Sequence, residues 1–148
     1  MTDVQTPAAT AGEFEVGATV PPFVRQAGLH AWNRYAAVNY EFVDIHMDDE
    51  AGKAAGMPGA FGMGNLIWAW MHCAVEQWVG DRGLLEHLEC RFKSPALKGD
   101  RITITGTVTG RTTADDGSTV LELDLWSENQ TGAKTAPGTA RVRLHPGV

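Results

Sequence analysis

The densest chemistry in the sequence lies in one short stretch, Tyr40-Glu41-Phe42-Val43-Asp44-Ile45-His46-Met47-Asp48. It sets an imidazole, His46, five residues after one carboxylate, Glu41, and two after another, Asp44. A carboxyl group and an imidazole titrate on either side of neutral pH, so together they can take a proton from a reacting atom and return one. Glu41 and His46 are the candidate catalytic pair. Asp44 is an alternative acid, although two residues before His46 it needs an unusual loop to converge on the same water. Bland roles stand beside each: a loop imidazole bonded to a neighbour for His46, and a surface or capping carboxylate for Glu41. Asp48, followed by Asp49 and Glu50, reads as the N-cap of a short helix with acids in its first turn.

The elements that must position this stretch follow from periodicity. Val20-Pro21-Pro22-Phe23-Val24 should be extended, because each proline disfavours helix in the residue before it. Leu29, Trp32, Tyr35 and Ala36 recur at helical spacing and predict a helix from about Gly28 to Asn39, with Tyr40 to His46 as a loop. After the helix opened by Asp48 comes a turn-rich approach, Pro58, Gly59, Gly62 and Gly64. The next element, about Gly64 to Val79, is apolar over more than one face, the mark of a helix buried on most sides, and Gly80 fits its C-terminal cap. Beyond Gly83 the period changes to two. Leu88/Cys90/Phe92, Ile102/Ile104/Val108, Leu121/Leu123/Leu125 and Ala140/Val142/Leu144 alternate with polar residues, predicting four half-buried strands joined by Gly- and Asp-bearing turns. Successive strands with short turns imply antiparallel pairing. One mostly apolar helix and a sheet with one apolar face can both be buried only if the sheet curls around the helix. The fold class expected is α+β, a single hot-dog domain: a long central helix wrapped by a curved antiparallel β-sheet.

Whole-chain properties bound the function. The 148 residues suit one domain, with residues 1–12 expected as a disordered leader and 13–148 as the folded domain. Apolar residues make up 43% of the chain, enough for a core without disulfides or metals. Net charge is −6 and the basic residues are scattered, which argues against nucleic-acid binding. Cys73 and Cys90 sit in apolar stretches, which favours buried reduced thiols over a disulfide, and neither has a partner at zinc-ligand spacing, so no metal site is expected. Met1 to Gly12 lacks the basic and apolar regions of a signal peptide, and His72, Glu76 and Gln77 interrupt the longest apolar stretch. A cytoplasmic protein with no membrane partner is expected.

The run from Tyr35 to Gly64 resembles the MaoC-like, (R)-specific enoyl-CoA hydratase family, which includes small subunits of heteromeric steroid side-chain hydratases. That family carries an acid, four residues, then a His, followed by acids, a small-residue helix and a Pro-Gly approach to the central helix. Here those places read Glu41, Phe42-Val43-Asp44-Ile45, His46, Asp48-Asp49-Glu50, Ala54-Ala55-Gly56 and Pro58-Gly59. The acid is Glu where the family has Asp, Val43 stands where Asn is frequent, Asp44 where Pro is frequent, and Met63-Gly64 where many members carry His-Gly. The resemblance implies hydration of a 2-enoyl thioester, with acyl-CoA as substrate and no cofactor. It implies that Glu41 and His46 hold the attacking water and that Gly64, with Asn65 as a second donor, meets the thioester oxygen at the helix N-terminus.

Two rivals remain at this stage. One is a non-catalytic hot-dog subunit that completes a heteromer; the other is a hot-dog thioesterase, which would use a carboxylate on or near the central helix, where Glu76 lies far along. Arg91, Lys93 and Lys98 suit either a CoA phosphate or plain solvation, while His30, His72, His87 and His145 lack an acidic partner at a telling spacing. A sheet wrapped around one helix leaves open edges, so a homodimer, or a heteromer with a second hot-dog subunit, is expected.

Overall fold

The computed structural model describes residues 12–148; the expected leader, apart from Gly12, lies outside the described residues. Helix α3, Gly64–Val79, is the axis of the structure. Leu66, Ile67, Trp70, Met71, Ala74, Val75, Trp78 and Val79 recur at spacings of three and four, and all are buried. The helix ends at Gly80, whose φ of 56° suits glycine, and the Gly80 N–H donates to the Glu76 carbonyl. A 3-10 turn, Gly80–Arg82, leads into the sheet.

Five strands form that sheet: β1 Thr19–Gln26, β2 Gly83–Cys90, β3 Arg101–Thr113, β4 Thr119–Glu128 and β5 Lys134–Leu144. Their order is β1-β3-β4-β5-β2, with every neighbouring pair antiparallel. In β4, Leu121, Leu123 and Leu125 are buried while Glu122 and Asp124 are exposed, the alternation of a strand with one dry face. That face, with Ile102, Ile104, Val108, Ala140, Val142 and Leu144 of the flanking strands, shares one core with Met71 and Val75 of α3. This is the α+β hot-dog arrangement, a long central helix wrapped by a curved antiparallel sheet.

Two details differ from the sequence expectation. The extended segment around Pro21-Pro22 is a full strand paired with β3, so the sheet has five strands, not four. Its register shifts between Val20 and Phe23, where two prolines lacking N–H groups sit on an edge strand. The other concerns β2, which pairs with β5 and not with its sequence neighbour β3, because residues 91–100 cross to the far side of the sheet. As an edge strand β2 has only a partial dry face: Leu88 is buried, Leu84 is 63% exposed, and Phe92 lies past the strand end.

Helix α1, Leu29–Asn39, buries Trp32 and Ala36 against this core. It stops at Tyr40 in the left-handed region, φ 54°, the one non-glycine residue with positive φ among those described. A 3-10 turn, Asp44–His46, and helix α2, Asp49–Ala54, then carry the chain to α3. No helix among the described residues is long and apolar enough to cross a membrane.

Candidate active site

His46 is positioned almost entirely by main chain. Its turn closes on hydrogen bonds from His46 N–H to the Val43 carbonyl (3.0 Å) and from Met47 N–H to the Asp44 carbonyl (2.9 Å). Asp48 then caps α2, its Oδ1 accepting from Ala51 N–H at 2.8 Å. Asp49, in the first turn of α2, reaches across to the approach segment: its Oδ1 accepts from Ala60 N–H at 2.9 Å and from Lys98 Nζ at 2.5 Å. Those two donors hold the Asp49 carboxyl below its usual range, the Lys98 bond being the larger cause. The approach segment is also tied by Phe61 N–H to the Ile45 carbonyl (3.2 Å) and Gly62 N–H to the Ala96 carbonyl (2.8 Å). So held, the Phe61 carbonyl lies 2.7 Å from His46 Nδ1, and the Phe61 ring packs edge-on against the imidazole.

A carbonyl only accepts, so His46 Nδ1 carries the proton and, in the neutral ring, Nε2 keeps the free lone pair. The ring is buried, at 8% exposure, and lines a cavity of about 250 Å³. Gly64 at the α3 N-terminus shares that cavity with Phe61, Ile67, Phe92 and Lys93. Among the described residues no side chain hydrogen-bonds the start of α3, and the Leu66 N–H already donates to the Met63 carbonyl (3.2 Å), so the donors open to a ligand are the N–H groups ahead of it. Together a fixed lone pair and a free helix N-terminus can take a proton at one point and stabilise developing negative charge at another.

The family profile described as "MaoC like domain" matches residues 8–129. The chain belongs to that family. No curated protein matches its sequence. Among solved structures, this MaoC-like chain is similar to the R-hydratase PhaJ1 from Pseudomonas aeruginosa, with TM-score 0.78 and 19% identity over 90% of this chain and 83% of the other. It is similar to the (R)-hydratase from A. caviae involved in PHA biosynthesis, with TM-score 0.76 and 22% identity over 90% of this chain and 99% of the other. A chain of the ChsH1–ChsH2 complex from Mycobacterium tuberculosis gives TM-score 0.76 and 22% identity over 88% of this chain and 98% of the other. At such identities the likeness is one of fold.

Of the residues singled out in the sequence, His46 and Gly64 line the same cavity in this MaoC-like domain, and Glu41 and Asn65 do not. Glu41 is half-buried just past the left-handed turn, its N–H donating to the Ala36 carbonyl at 3.1 Å. Its charge falls on Tyr35, whose hydroxyl pKa is raised first by burial and then by Glu41. Tyr35 lines a second, open cavity of about 840 Å³ between α1 and α3. Asn65 and Asp44 are exposed. Sequence reasoning did not find the Phe61 carbonyl as the group that orients His46; every residue has a carbonyl, so residue type carries no such signal. Phe92 was legible only as a strand residue. Among the described residues, no group of three or more His, Cys, Asp or Glu is placed to hold a metal ion.

Proposed function

We propose that this chain adds water across the double bond of a 2-enoyl thioester, giving a 3-hydroxyacyl thioester, or runs the reverse dehydration, with acyl-CoA as the carrier. The observation that supports it best is the fixed tautomer of His46 in a cavity that also contains the α3 N-terminus. The thioester carbonyl oxygen lies toward Gly64 N–H, with Asn65 as a second donor. A water between Glu41 and His46 attacks C3 as His46 Nε2 accepts its proton, and the electron pair of the double bond moves into an enolate held by the helix N-terminus. The imidazolium passes that proton to Glu41, which delivers it to C2, so the net change is addition of one water. In this reading the Glu41 side chain turns toward His46 as substrate enters; catalytic hydrogen bonds often close only in the complex. No cofactor takes part.

A second reading is favoured by one observation: among the described residues, no carboxylate lines the His46 cavity. A hot-dog subunit in need of a partner would show this, and one similar structure is of a two-component complex. The β2 edge, with Leu84 exposed, offers a place to pair with a second copy or a second subunit. A thioesterase is less well supported, since Glu76 lies 12 residues beyond Gly64, about 18 Å along the helix.

The test is the absorbance change of crotonyl-CoA, and of a bulkier enoyl-CoA, with wild type beside His46→Ala and Glu41→Gln. General acid–base groups contribute about 10²–10⁴-fold, and both variants should lose that much. Folded wild type with no rate on any enoyl-CoA sinks the self-sufficient hydratase and moves the reading to a partner-dependent subunit. A full rate in Glu41→Gln beside a dead His46→Ala places the acid elsewhere.

A further inference from the structure

Phe92 is half exposed, at 51%, yet its ring is seated on the backbone at the start of α3. A Cβ built on Gly64 would stand 2.8 Å from both Phe92 Cδ2 and Cε2 and 3.0 Å from Cγ. Gly64 has ordinary helical backbone, so its conformation does not call for glycine; the ring does. The main chain on either side of Phe92 is fixed, with Arg91 N–H on the Pro137 carbonyl and Lys93 N–H on the Thr135 carbonyl, both at 2.9 Å. Only the side chain is left to turn. The same ring lines the His46 cavity.

We infer that Phe92 is a specificity-determining residue that bars substituents on the acyl carbon next to the thioester carbonyl. The inference rests on the hydratase reading above. With the carbonyl oxygen at Gly64 N–H and C3 at His46, C2 lies between them, beside the ring that covers Gly64. A hydrogen on C2 passes the ring. A methyl carbon needs about 3.5–4 Å to a ring carbon, and the ring already crowds the Gly64 backbone, so a 2-methyl group must turn the ring into solvent or be refused. Unbranched 2-enoyl thioesters are therefore the preferred class.

The experiment compares crotonyl-CoA with its 2-methyl homologue in wild type, Phe92→Leu and Phe92→Ala. Contact with a single carbon in a pocket discriminates by about 10–200-fold. The ratio of kcat/KM for the 2-methyl over the unbranched substrate should rise at least tenfold in Phe92→Ala, with Phe92→Leu between. An unchanged ratio, with wild type turning over crotonyl-CoA, overturns the role of Phe92 and leaves the hydratase reading standing. Calorimetric binding of the saturated analogues butyryl-CoA and 2-methylbutyryl-CoA decides the matter if no variant turns over: the same shift in ratio supports the gate without hydration. Equal affinities in wild type, or no binding of either thioester to any variant, overturn it.

Discussion

Gly52→Ala is the substitution for which local and tertiary effects predict opposite signs. In an isolated helix, replacing an interior glycine by alanine stabilises by about 1 kcal/mol. In α2, however, the new Cβ would stand 2.0 Å from the Gly59 carbonyl oxygen, 2.3 Å from its carbon and 2.6 Å from Ala60 N. All three are backbone atoms, so no rotamer relieves the clash, and the Gly59–Ala60 peptide must retreat by more than an ångström. Overpacking of this kind costs about 1–3 kcal/mol, and a main-chain obstacle places it at the upper end. The net loss after the helix gain is then about 2 kcal/mol, or a fall in Tm of about 4–8 °C for a chain of this size. The displaced peptide is bonded to Asp49 and precedes Phe61, whose carbonyl orients His46. A misplacement of about 1 Å at a reacting group costs on the order of 10²-fold in rate, so crotonyl-CoA hydration should fall well beyond what unfolding accounts for. Thermal unfolding followed by circular dichroism, with rates taken where both proteins are folded, measures both. A Tm that is unchanged or raised would refute the close approach of α2 to the Phe61 segment.

Asp49→Asn should change how stability depends on acid. The Asp49 pKa is lowered in the folded state from its ordinary 3.8, so its contribution is complete above that value and is lost as pH falls through the lower folded value. The Tm gap between wild type and Asp49→Asn should therefore be wider at about pH 6 than at about pH 3; a gap independent of pH counts against the Lys98 and Ala60 contacts. The two thiols should also separate kinetically. Cys73, expected from its apolar surroundings in sequence to be buried, is exposed on the outer side of α3, whereas burial pushes the Cys90 thiol up. Cys73 should therefore react first with an aromatic disulfide at about pH 8, and Cys90 should follow slowly until denaturant is added. Equal native rates would contradict the burial of Cys90.

Much of this architecture was legible because apolar period is a local property. Leu66 through Val79 repeat at helical spacing, and α3 runs over Gly64–Val79 as the pattern implies. Asp48 read as an N-cap, and its carboxylate accepts from Ala51 N–H. Strands β3, β4 and β5 show their alternation directly. What could not be read is who pairs with whom. The partner of β2 is β5, some fifty residues on, and nothing in Leu84 to Cys90 encodes that choice. Gly59 and Gly62 read only as turn-formers, and Gly64 only as a helix entry and candidate donor. In the folded chain Gly59 leaves room for the Asp49 carboxylate, Gly62 for the Trp32 indole and Gly64 for the Phe92 ring. These are close approaches between segments distant in sequence, visible only once the segments meet.

The same distinction separates the parts of the site. His46 is oriented by a backbone carbonyl, and the proposed oxyanion donors are backbone N–H groups at a helix start, so both depend on main chain that packing holds in place. Exchanging side chains on that frame leaves base and donors where they are. Glu41 and Phe92 are different. One is a long, half-buried side chain just past a left-handed turn, and the other is a half-exposed ring on fixed backbone. Each can change position by side-chain rotation without any cost to the sheet. In the proposed reaction, the proton that returns to C2 and the acyl groups admitted to C2 would thus be set by two side chains that the fold constrains little. Variation in acid and substrate among chains sharing this frame is the expected physical consequence.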